Sequence, residues 1–375
     1  MRKLIFVLLL VVFAVSIFVA EEIKIGVVLP MTGGISAFGQ MTWEGISLAH
    51  KMYPTVLGKE VKLILFDNRS EKTEAANAVA RAIDKEHVVA IIGEVASSHS
   101  LAGGPIAEKN HIPMVSPAST NPMVTQGKRY VSRVCFIDPF QGAAAAVFAF
   151  KNLGAKTVAV FTDIEQDYSV GLSKFFVDKF KKLGGKVVSL YYRTGDQDFT
   201  AQLTIALSKN PDAIYVTGYY PEIALLSRQA RQLGFKGYLL AGDGAEAPEL
   251  FSIGGDAVDG LFLTTHYHPK GAATSMAKKF YDAFVKEYGK DPSALAALGF
   301  DAYLLIIDAI KRAGSADPEA IAKAIRETEN FEAVTGVITI EKETGNPIKD
   351  VVVDKANAKE KKFDFAAIVS AQELK

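Results

Sequence analysis

Short apolar runs alternate with amphipathic segments along most of the chain, and this alternation restricts the possible folds more than any other feature. A first series has apolar runs at residues 22–30, 61–67, 88–93 and 112–116, with segments of helical periodicity between them. A second series of the same kind covers residues 141–241. Strands that alternate with helices favour a parallel sheet with helices on both faces, so the sequence predicts two doubly wound α/β lobes.

The length of the chain and two proline-marked segments indicate how the lobes are arranged. At 375 residues the chain exceeds the size at which a single core usually stops growing, so two domains are expected. We expect the chain to cross between the lobes three times, with two crossings at residues 138–139 and 268–269, where proline restricts the backbone. Each lobe is then discontinuous: an N-terminal lobe of residues 21–139 and 269–345, and a C-terminal lobe of residues 140–268 and 346–375.

Residues 1–20 have the pattern of a secretory signal peptide. A basic start precedes an apolar run that extends from Leu4 to Ala20. This pattern predicts export of the mature chain to the periplasm or another extracytoplasmic compartment. Phe18 stands where a cleavage site prefers a small residue, so a retained membrane anchor stays open as an alternative.

Composition argues against several classes of partner. Lys and Arg together number 42, and Asp and Glu also number 42, so the formal net charge is zero and no broad nucleic-acid surface is expected. The glycines of the loop 31–41 lack the G-x-G-x-x-G spacing of dinucleotide-binding loops, and no cofactor is predicted. Cys135 is the only cysteine, so no internal disulfide can form, and we expect its side chain to be a small buried apolar group.

Two neighbouring predicted strands of the first series are each followed by a loop rich in small hydroxyl residues. The carboxyl ends of parallel strands lie at one edge of the sheet, where open α/β sheets bind their ligands. We therefore expect one wall of a pocket to be formed by Ser97, Ser98, Ala118, Ser119 and Thr120. Hydroxyl groups and the free N–H groups of a helix N-terminus suit an anion such as a carboxylate. The alternative is that the hydroxyl side chains are ordinary N-caps.

Three loops of the second series each follow a predicted strand and carry aromatic or acidic side chains. Tyr168 lies in the first loop, Tyr219 in the second and Asp243 in the third. Phe38 of the other lobe is expected to be exposed at a loop tip, in a position to cover a ligand. A carboxylate and aromatic faces both attract an ammonium group, although Gly-Asp-Gly is also a common turn composition. One lobe that binds a carboxylate and another that binds an ammonium together predict an α-amino acid as the ligand.

Some residues invite a catalytic or metal-binding interpretation. Ser97, Ser98 and His99 are adjacent, a spacing that rarely aligns a nucleophile with its base, and the sequence has no G-x-S-x-G motif. His266 and His268 alternate onto one face of a predicted strand, but no H-E-x-x-H motif accompanies them. We therefore predict a binding protein without enzymatic activity and without a metal site.

Six segments carry a resemblance to a known family. They read KIGVVLPMTGG, IIGEVASSHS, MVSPASTNP, QDYSVGL, TGYYPEIALLSRQARQLG and AGDG, and they are spread over essentially the whole mature chain. In these segments the chain resembles the Leu/Ile/Val-binding proteins of ABC transporters, which have the type I periplasmic-binding fold. The resemblance implies two lobes that close on an amino acid.

The resemblance also implies roles for individual residues. The carboxylate site corresponds to Ser97, Ala118 and Thr120 with Ser119 beside them, the ammonium site to Tyr219 and Asp243, and the aromatic lids to Phe38 and Tyr168. The chain departs from the family pattern in three respects. Asp243 stands where the Leu/Ile/Val binders have Glu, Phe38 where relatives have Tyr or Trp, and Ser70 and Ala96 where some members have a disulfide. The first two departures bear on which side chain the pocket prefers.

The function implied by the resemblance is delivery of an amino acid to the permease subunits of an ABC importer by a monomeric receptor. Branched-chain aliphatic amino acids are the predicted ligands. Aromatic or other amino acids, a small amide or urea, and a sensory role for the same fold stay open.

Overall fold

The computed structural model describes residues 22–374, so the predicted signal peptide at residues 1–20 lies outside the described residues. The fold is α/β, with two large sheets that match the predicted two-lobe architecture. Within residues 22–374, no helix is both long and apolar enough to span a membrane.

The first sheet is built from the N-terminal series of strands. Its spatial order is β2-β3-β1-β4-β5-β6, and all pairs are parallel except the short β2, which is antiparallel to β3. The strands are β1 (Ile23–Leu29), β2 (Thr55–Val56), β3 (Lys59–Asp67), β4 (Ala90–Ile92), β5 (Met114–Ser116) and β6 (Val131–Arg133). The connecting helices are α1 (Ser36–Met52), α2 (Lys72–Asp84) and α3 (Ser97–Lys109).

The second sheet has seven strands in the order β15-β14-β11-β10-β9-β7-β8. Its strands are β7 (Thr157–Asp163), β8 (Lys186–Tyr192), β9 (Ala213–Thr217), β10 (Tyr238–Ala241), β11 (Phe262–Thr265), β14 (Val351–Asn357) and β15 (Lys362–Val369). Its helices are α4 (Asp138–Val147), α5 (Asp167–Lys182), α6 (Thr200–Leu207), α7 (Tyr220–Gln232) and α8 (Glu249–Gly254). The strands β14 and β15 form an antiparallel hairpin at one edge, so this sheet is mixed.

The last three long helices pack near the first sheet. They are α9 (Ser275–Tyr288), α10 (Ala294–Ala313) and α11 (Pro318–Arg326), and a small hairpin of β12 (Phe331–Ala333) and β13 (Gly336–Ile338) follows them. The helices α1 and α10 approach closely because glycine faces the partner backbone in both: a Cβ at Gly45 would lie 1.8 Å from Ala296 O, and one at Gly299 would lie 2.4 Å from Thr42 O. The predicted residue limits of the two lobes stay a prediction.

The turn at residues 344–346 has only a small ladder around it. Ile340 and Pro347 form a single antiparallel bridge across it. The longer C-terminal hairpin turns instead after Asn357, where β14 ends.

A buried polar cluster behind the loops of β4 and β5 fixes the positions of these two loops. The backbone carbonyl of Glu94 accepts hydrogen bonds from Ser116 Oγ at 2.6 Å and from Ser119 Oγ at 2.9 Å. Its carboxyl accepts a hydrogen bond from Asn68 Nδ2, while Oε1 has no hydrogen-bond partner among the described residues. Burial raises the pKa of Glu94 to about 8, and the hydrogen bond from Asn68 opposes this only in part.

The raised pKa of Glu94 predicts a pH-dependent contribution to stability. Between about pH 4.5 and pH 8, the unfolded chain releases the Glu94 proton while the folded chain retains it, so the free energy of unfolding falls as the pH rises. The slope from this one group is at most ~1.4 kcal/mol per pH unit. Gln cannot titrate and can still accept the hydrogen bond from Asn68. We expect Glu94→Gln to gain stability relative to the wild type as the pH rises from 5 to 8.

Urea unfolding of both proteins at several pH values measures this difference. Glu287→Gln, which removes an exposed carboxylate paired with Lys51, serves as the control and should follow the wild-type slope. A constant difference between Glu94→Gln and the wild type over this range would contradict the assignment of Glu94.

Candidate functional site

A small cavity lies between the two lobes at the carboxyl ends of their parallel strands. The space between atoms amounts to about 300 Å³, including open solvent at the mouth of the cavity. Its lining comes from both lobes: Phe38, Val95, Ser97, Ala118, Tyr168, Tyr219, Asp243, Gly244 and Leu295. Six of the nine residues expected at the site line this cavity, and the other three, Ser98, Ser119 and Thr120, directly follow Ser97 or Ala118 in the sequence. Which of them contact a ligand stays a prediction.

The first-lobe wall begins at the N-terminus of α3. Ala96 is the N-cap residue and makes no side-chain capping bond, so Ser97 and Ser98 lie inside the helix and the N-cap interpretation of these two residues is wrong. Ser97 Oγ accepts a hydrogen bond from the backbone N–H of Asn121 at 3.1 Å, which ties this helix to the loop after β5. Ser97 therefore connects the two loops that were predicted to form one wall.

Ser119 and Thr120 have different surroundings. Ser119 is fully buried, and its hydroxyl donates to backbone carbonyls behind the wall, among them Val95 O at 3.0 Å. Thr120 is also buried, but its hydroxyl has no hydrogen-bond partner among residues 22–374. Ser119 thus supports the wall from behind, while the hydroxyl of Thr120 lies beside the buried Asp138 carboxyl, whose pKa is raised by burial and lowered in part by this hydroxyl.

In the second lobe, Asp243 is held by three hydrogen-bond donors. Its Oδ1 accepts hydrogen bonds from Gln141 Nε2 and from the Tyr168 hydroxyl, both at 2.7 Å. Its Oδ2 lies 2.9 Å from Nε2 of the buried His266. Asp243 follows β10 and begins a single 3₁₀ turn, which agrees with the turn composition of Gly-Asp-Gly. Its role in a binding site stays a prediction.

These contacts determine the charge of the group. Burial raises the pKa of Asp243, but the hydrogen bond from His266, the positive charge that His266 carries once protonated, and the hydrogen bonds from Tyr168 and Gln141 outweigh it and leave the pKa below its usual value. Burial also lowers the pKa of His266, against the opposing effect of Asp243. Near neutral pH the pair is therefore a carboxylate and a neutral imidazole, with the imidazole proton on Nε2.

Aromatic rings cover the cavity from both lobes. Phe38 meets Tyr219 edge to face, with ring centroids 5.7 Å apart, and Tyr168 stacks on Tyr219 at 5.5 Å. The expectation that Phe38 is exposed at a loop tip is wrong: it lies in the first turn of α1 and is only 4% exposed, because Tyr219 and Tyr220 pack against it. Tyr220 also donates its hydroxyl hydrogen to Gly34 O across the lobes.

Further polar contacts join the rims of the lobes. Ser98 Oγ accepts a hydrogen bond from Asp167 N at 3.1 Å, and Asn121 Nδ2 donates to Asp167 O at 2.8 Å. Lys72 Nζ lies 3.5 Å from Asp167 Oδ2. These contacts, together with the aromatic cover, describe a closed arrangement of the two lobes.

The sequence analysis missed several groups at the site. Gln141 and His266 fix Asp243, Val95 and Leu295 supply apolar lining, and Asp138 is a buried acid at the start of α4 whose pKa is raised by burial. His266 had been noticed only as a possible metal ligand beside His268. In the structure His266 faces Asp243, whereas His268 Nδ1 accepts a hydrogen bond from Lys270 N. Among the described residues, no group of three or more His, Cys, Asp or Glu side chains is placed to hold a metal ion.

Comparison with known proteins supports a common architecture over more than nine tenths of the chain. The crystal structure of a leucine binding protein from Thermotoga maritima is 66% identical, covers 94% of this chain and 99% of that chain, and superposes with a TM-score of 0.92. The branched-chain amino acid transporter substrate binding protein of Streptococcus pneumoniae, solved in complex with isoleucine, is 30% identical over 93% of this chain and 99% of that chain, with a TM-score of 0.87.

A curated relative agrees with these structures. The leucine-, isoleucine-, valine-, threonine- and alanine-binding protein of Pseudomonas aeruginosa is 31% identical over 327 residues, which are 84% of this chain and 85% of that protein. The family model described as periplasmic binding protein matches residues 22–361. This chain therefore belongs to the periplasmic binding protein family.

Proposed function

We propose that the protein is the extracytoplasmic solute-binding protein of an ABC importer and that it binds a branched-chain amino acid between its two lobes. The observation that carries the proposal is the chemical asymmetry of the cavity. One wall offers the Ser97 and Thr120 hydroxyls and a helix N-terminus, and the opposite wall offers the ionised Asp243. An α-amino acid has a matching negative and positive end.

The cavity lining supports an aliphatic side chain on this ligand. If the ligand carboxylate binds at the start of α3 and the ligand ammonium binds Asp243, the ligand side chain packs against the apolar surfaces of Phe38, Val95 and Leu295. Small branched side chains suit such a lining, because they bury apolar area without requiring a polar partner. The ligands named for the relatives from Thermotoga, Streptococcus and Pseudomonas favour the same class.

The remaining parts of the proposal follow from the family. A solute-binding protein of this kind acts by binding and release rather than by catalysis, and its partners are the membrane permease subunits that receive the amino acid. Export before binding agrees with the signal-peptide pattern of residues 1–20. Because the ligand contacts both walls, its binding shifts the population from the open state to the closed state. The proposed active form is a monomer.

A thermal-shift screen over the common amino acids tests the proposed ligand class. A ligand that binds only the folded protein raises its melting temperature in proportion to the logarithm of its concentration over Kd. We expect leucine, isoleucine and valine to give the largest shifts. A larger shift from an aromatic amino acid, or from an amide or urea, would replace the branched-chain assignment with that class.

The substitution Asp243→Asn tests the ammonium site without changing the size of the side chain. It removes the negative charge and leaves the ligand ammonium buried without its counter-charge, which costs roughly 3 to 5 kcal/mol by comparison with broken buried ion pairs. We expect the affinity for leucine to fall at least a hundredfold, as measured by calorimetry. Asp178→Asn, at an exposed carboxylate paired with Lys174, is the matched control and should bind as the wild type does. A loss below threefold in Asp243→Asn would remove Asp243 from the site.

The charge states of Asp243 and His266 predict how the affinity depends on pH. Both pKa values lie below their usual values, so neither group changes its charge between about pH 7 and pH 8, and Asp243 stays ionised in mildly acidic buffer. We expect the Kd for leucine to vary by less than about threefold from pH 8 to pH 6 and to rise only at lower pH, where Asp243 or His266 takes up a proton. A steep loss of affinity between pH 7 and pH 6 would show that His266 titrates in its ordinary range.

A further inference from the structure

A buried hydrogen bond joins the loop that carries Asp243 to a helix that packs on the first sheet. Glu246 directly follows the 3₁₀ turn that Asp243 begins, and its Oε1 accepts a hydrogen bond from Ala294 N at 2.7 Å. Ala294 is the first residue of α10, which contacts β4 and β5. Because Asp243 follows β10 of the second sheet, this hydrogen bond crosses from one lobe to the other.

The Glu246 carboxyl is also fixed by its own lobe. Thr265, the last residue of β11, donates its hydroxyl hydrogen to Glu246 Oε2. The backbone N–H of Glu246 donates to Asp243 O at 3.1 Å and closes the turn between the two acids. Glu246 is only 6% exposed, so its carboxyl depends on these two side-chain partners in place of water.

The other partner, the N-terminus of α10, needs a hydrogen-bond acceptor. The first N–H groups of a helix have no partner within the helix. The N-cap residue Ser293 satisfies one of them, because its Oγ accepts a hydrogen bond from Ala296 N at 3.1 Å. Ala294 is buried, so without Glu246 its N–H would be left unpaired in the interior. The first turn of α10 is thus capped by its own lobe and by the opposite lobe.

Both protonation states of Glu246 can make these bonds. Burial raises the pKa of Glu246 to about 7, and the hydrogen bonds from Thr265 and Ala294 oppose this only in part. In the ionised form both oxygens accept, and in the acid form Oε2 can donate to Thr265 Oγ1 while Oε1 still accepts from Ala294 N. The contact between the lobes therefore does not require a charge on Glu246.

The bond connects two parts of the amino-acid pocket. Asp243 lines the pocket from the second lobe, and Leu295, the residue after Ala294, lines it from α10. We propose that Glu246 is a positioning residue for ligand binding, which holds the loop of Asp243 against the first turn of α10 so that Leu295 and Asp243 enclose the ligand together. This inference rests on the proposed function. Loss of the bond favours open lobes, from which a ligand dissociates faster.

Two substitutions of Glu246 test this role. Glu246→Ala removes the bond between the lobes, whereas Glu246→Gln can keep it, because Gln Oε1 can accept from Ala294 N and Nε2 can donate to Thr265. We expect Glu246→Ala to weaken leucine binding about tenfold or more, and Glu246→Gln to stay within about threefold of the wild type. Calorimetry measures Kd, and the release of radiolabelled leucine into excess unlabelled leucine measures the dissociation rate, which should account for most of the change.

A substitution on the other side of the bond removes its donor. Proline has no N–H, is tolerated at the first position of a helix, and follows Ser293, whose extended backbone suits the residue before a proline. We expect Ala294→Pro to weaken leucine binding by a factor similar to that of Glu246→Ala. The double variant should bind within about threefold of either single variant, because both changes remove the same bond. Melting temperatures show that each variant is folded.

Ser293→Ala is the matched control. It weakens the cap of the same helix but leaves the bond between the lobes, so leucine affinity should stay within about threefold of the wild type. Equal leucine binding by Glu246→Ala and the wild type, or effects of Glu246→Ala and Ala294→Pro that multiply in the double variant, would refute the positioning role and leave the proposed function standing. A wild-type protein that does not bind leucine would instead overturn the proposed function, and this inference with it.

Discussion

Burial of the Asp243 carboxylate between the lobes is the constraint on which the proposed site depends. A carboxylate in an apolar interior is unstable unless donors replace the water that it has lost. Gln141 from α4, Tyr168 from α5 and His266 from the end of β11 supply these donors, and each comes from a different element of the second lobe. The charge is therefore stabilised by the fold of one lobe and does not need the other lobe or a ligand.

The first-lobe wall of the cavity is built from a different kind of group. Its wall has no buried charge at the cavity and depends on hydroxyl groups, on a helix N-terminus, and on the polar cluster around Glu94 that holds the two loops together. The two lobes meet through Phe38 on Tyr219 and through the backbone of Asp167, whose N–H donates to Ser98 Oγ and whose carbonyl accepts from Asn121 Nδ2. Because each wall is preformed within its own lobe, closure needs only a rigid motion that brings the walls together.

Sequence reasoning predicted the elements whose signal is local and missed those whose signal is spatial. The loops with Ser97, Ala118, Tyr168, Tyr219 and Asp243 follow apolar strands, and parallel topology is enough to bring such loops to one edge. Gln141 lies inside α4 and His266 follows β11, whereas Asp243 follows β10. The residues adjacent to Gln141 and His266 in the sequence therefore give no sign that these side chains contact Asp243. Phe38 was assigned to an exposed loop tip because Ala37 and Gly39 flank it, yet α1 begins two residues earlier and the rings of the other lobe bury Phe38.

The hydrogen bonds of Asp243 also determine where an ammonium group can bind. A carboxylate has about four acceptor positions, two on each oxygen. Gln141 and the Tyr168 hydroxyl occupy both positions on Oδ1, while His266 occupies only one on Oδ2. The position left on Oδ2 is the one through which the carboxylate can accept an ammonium without giving up a bond to its own lobe. In the proposed binding mode, the three donors hold the free acceptor position in place before the ligand arrives, and this fixed orientation would compensate for the shorter side chain of Asp relative to the Glu implied by the family resemblance.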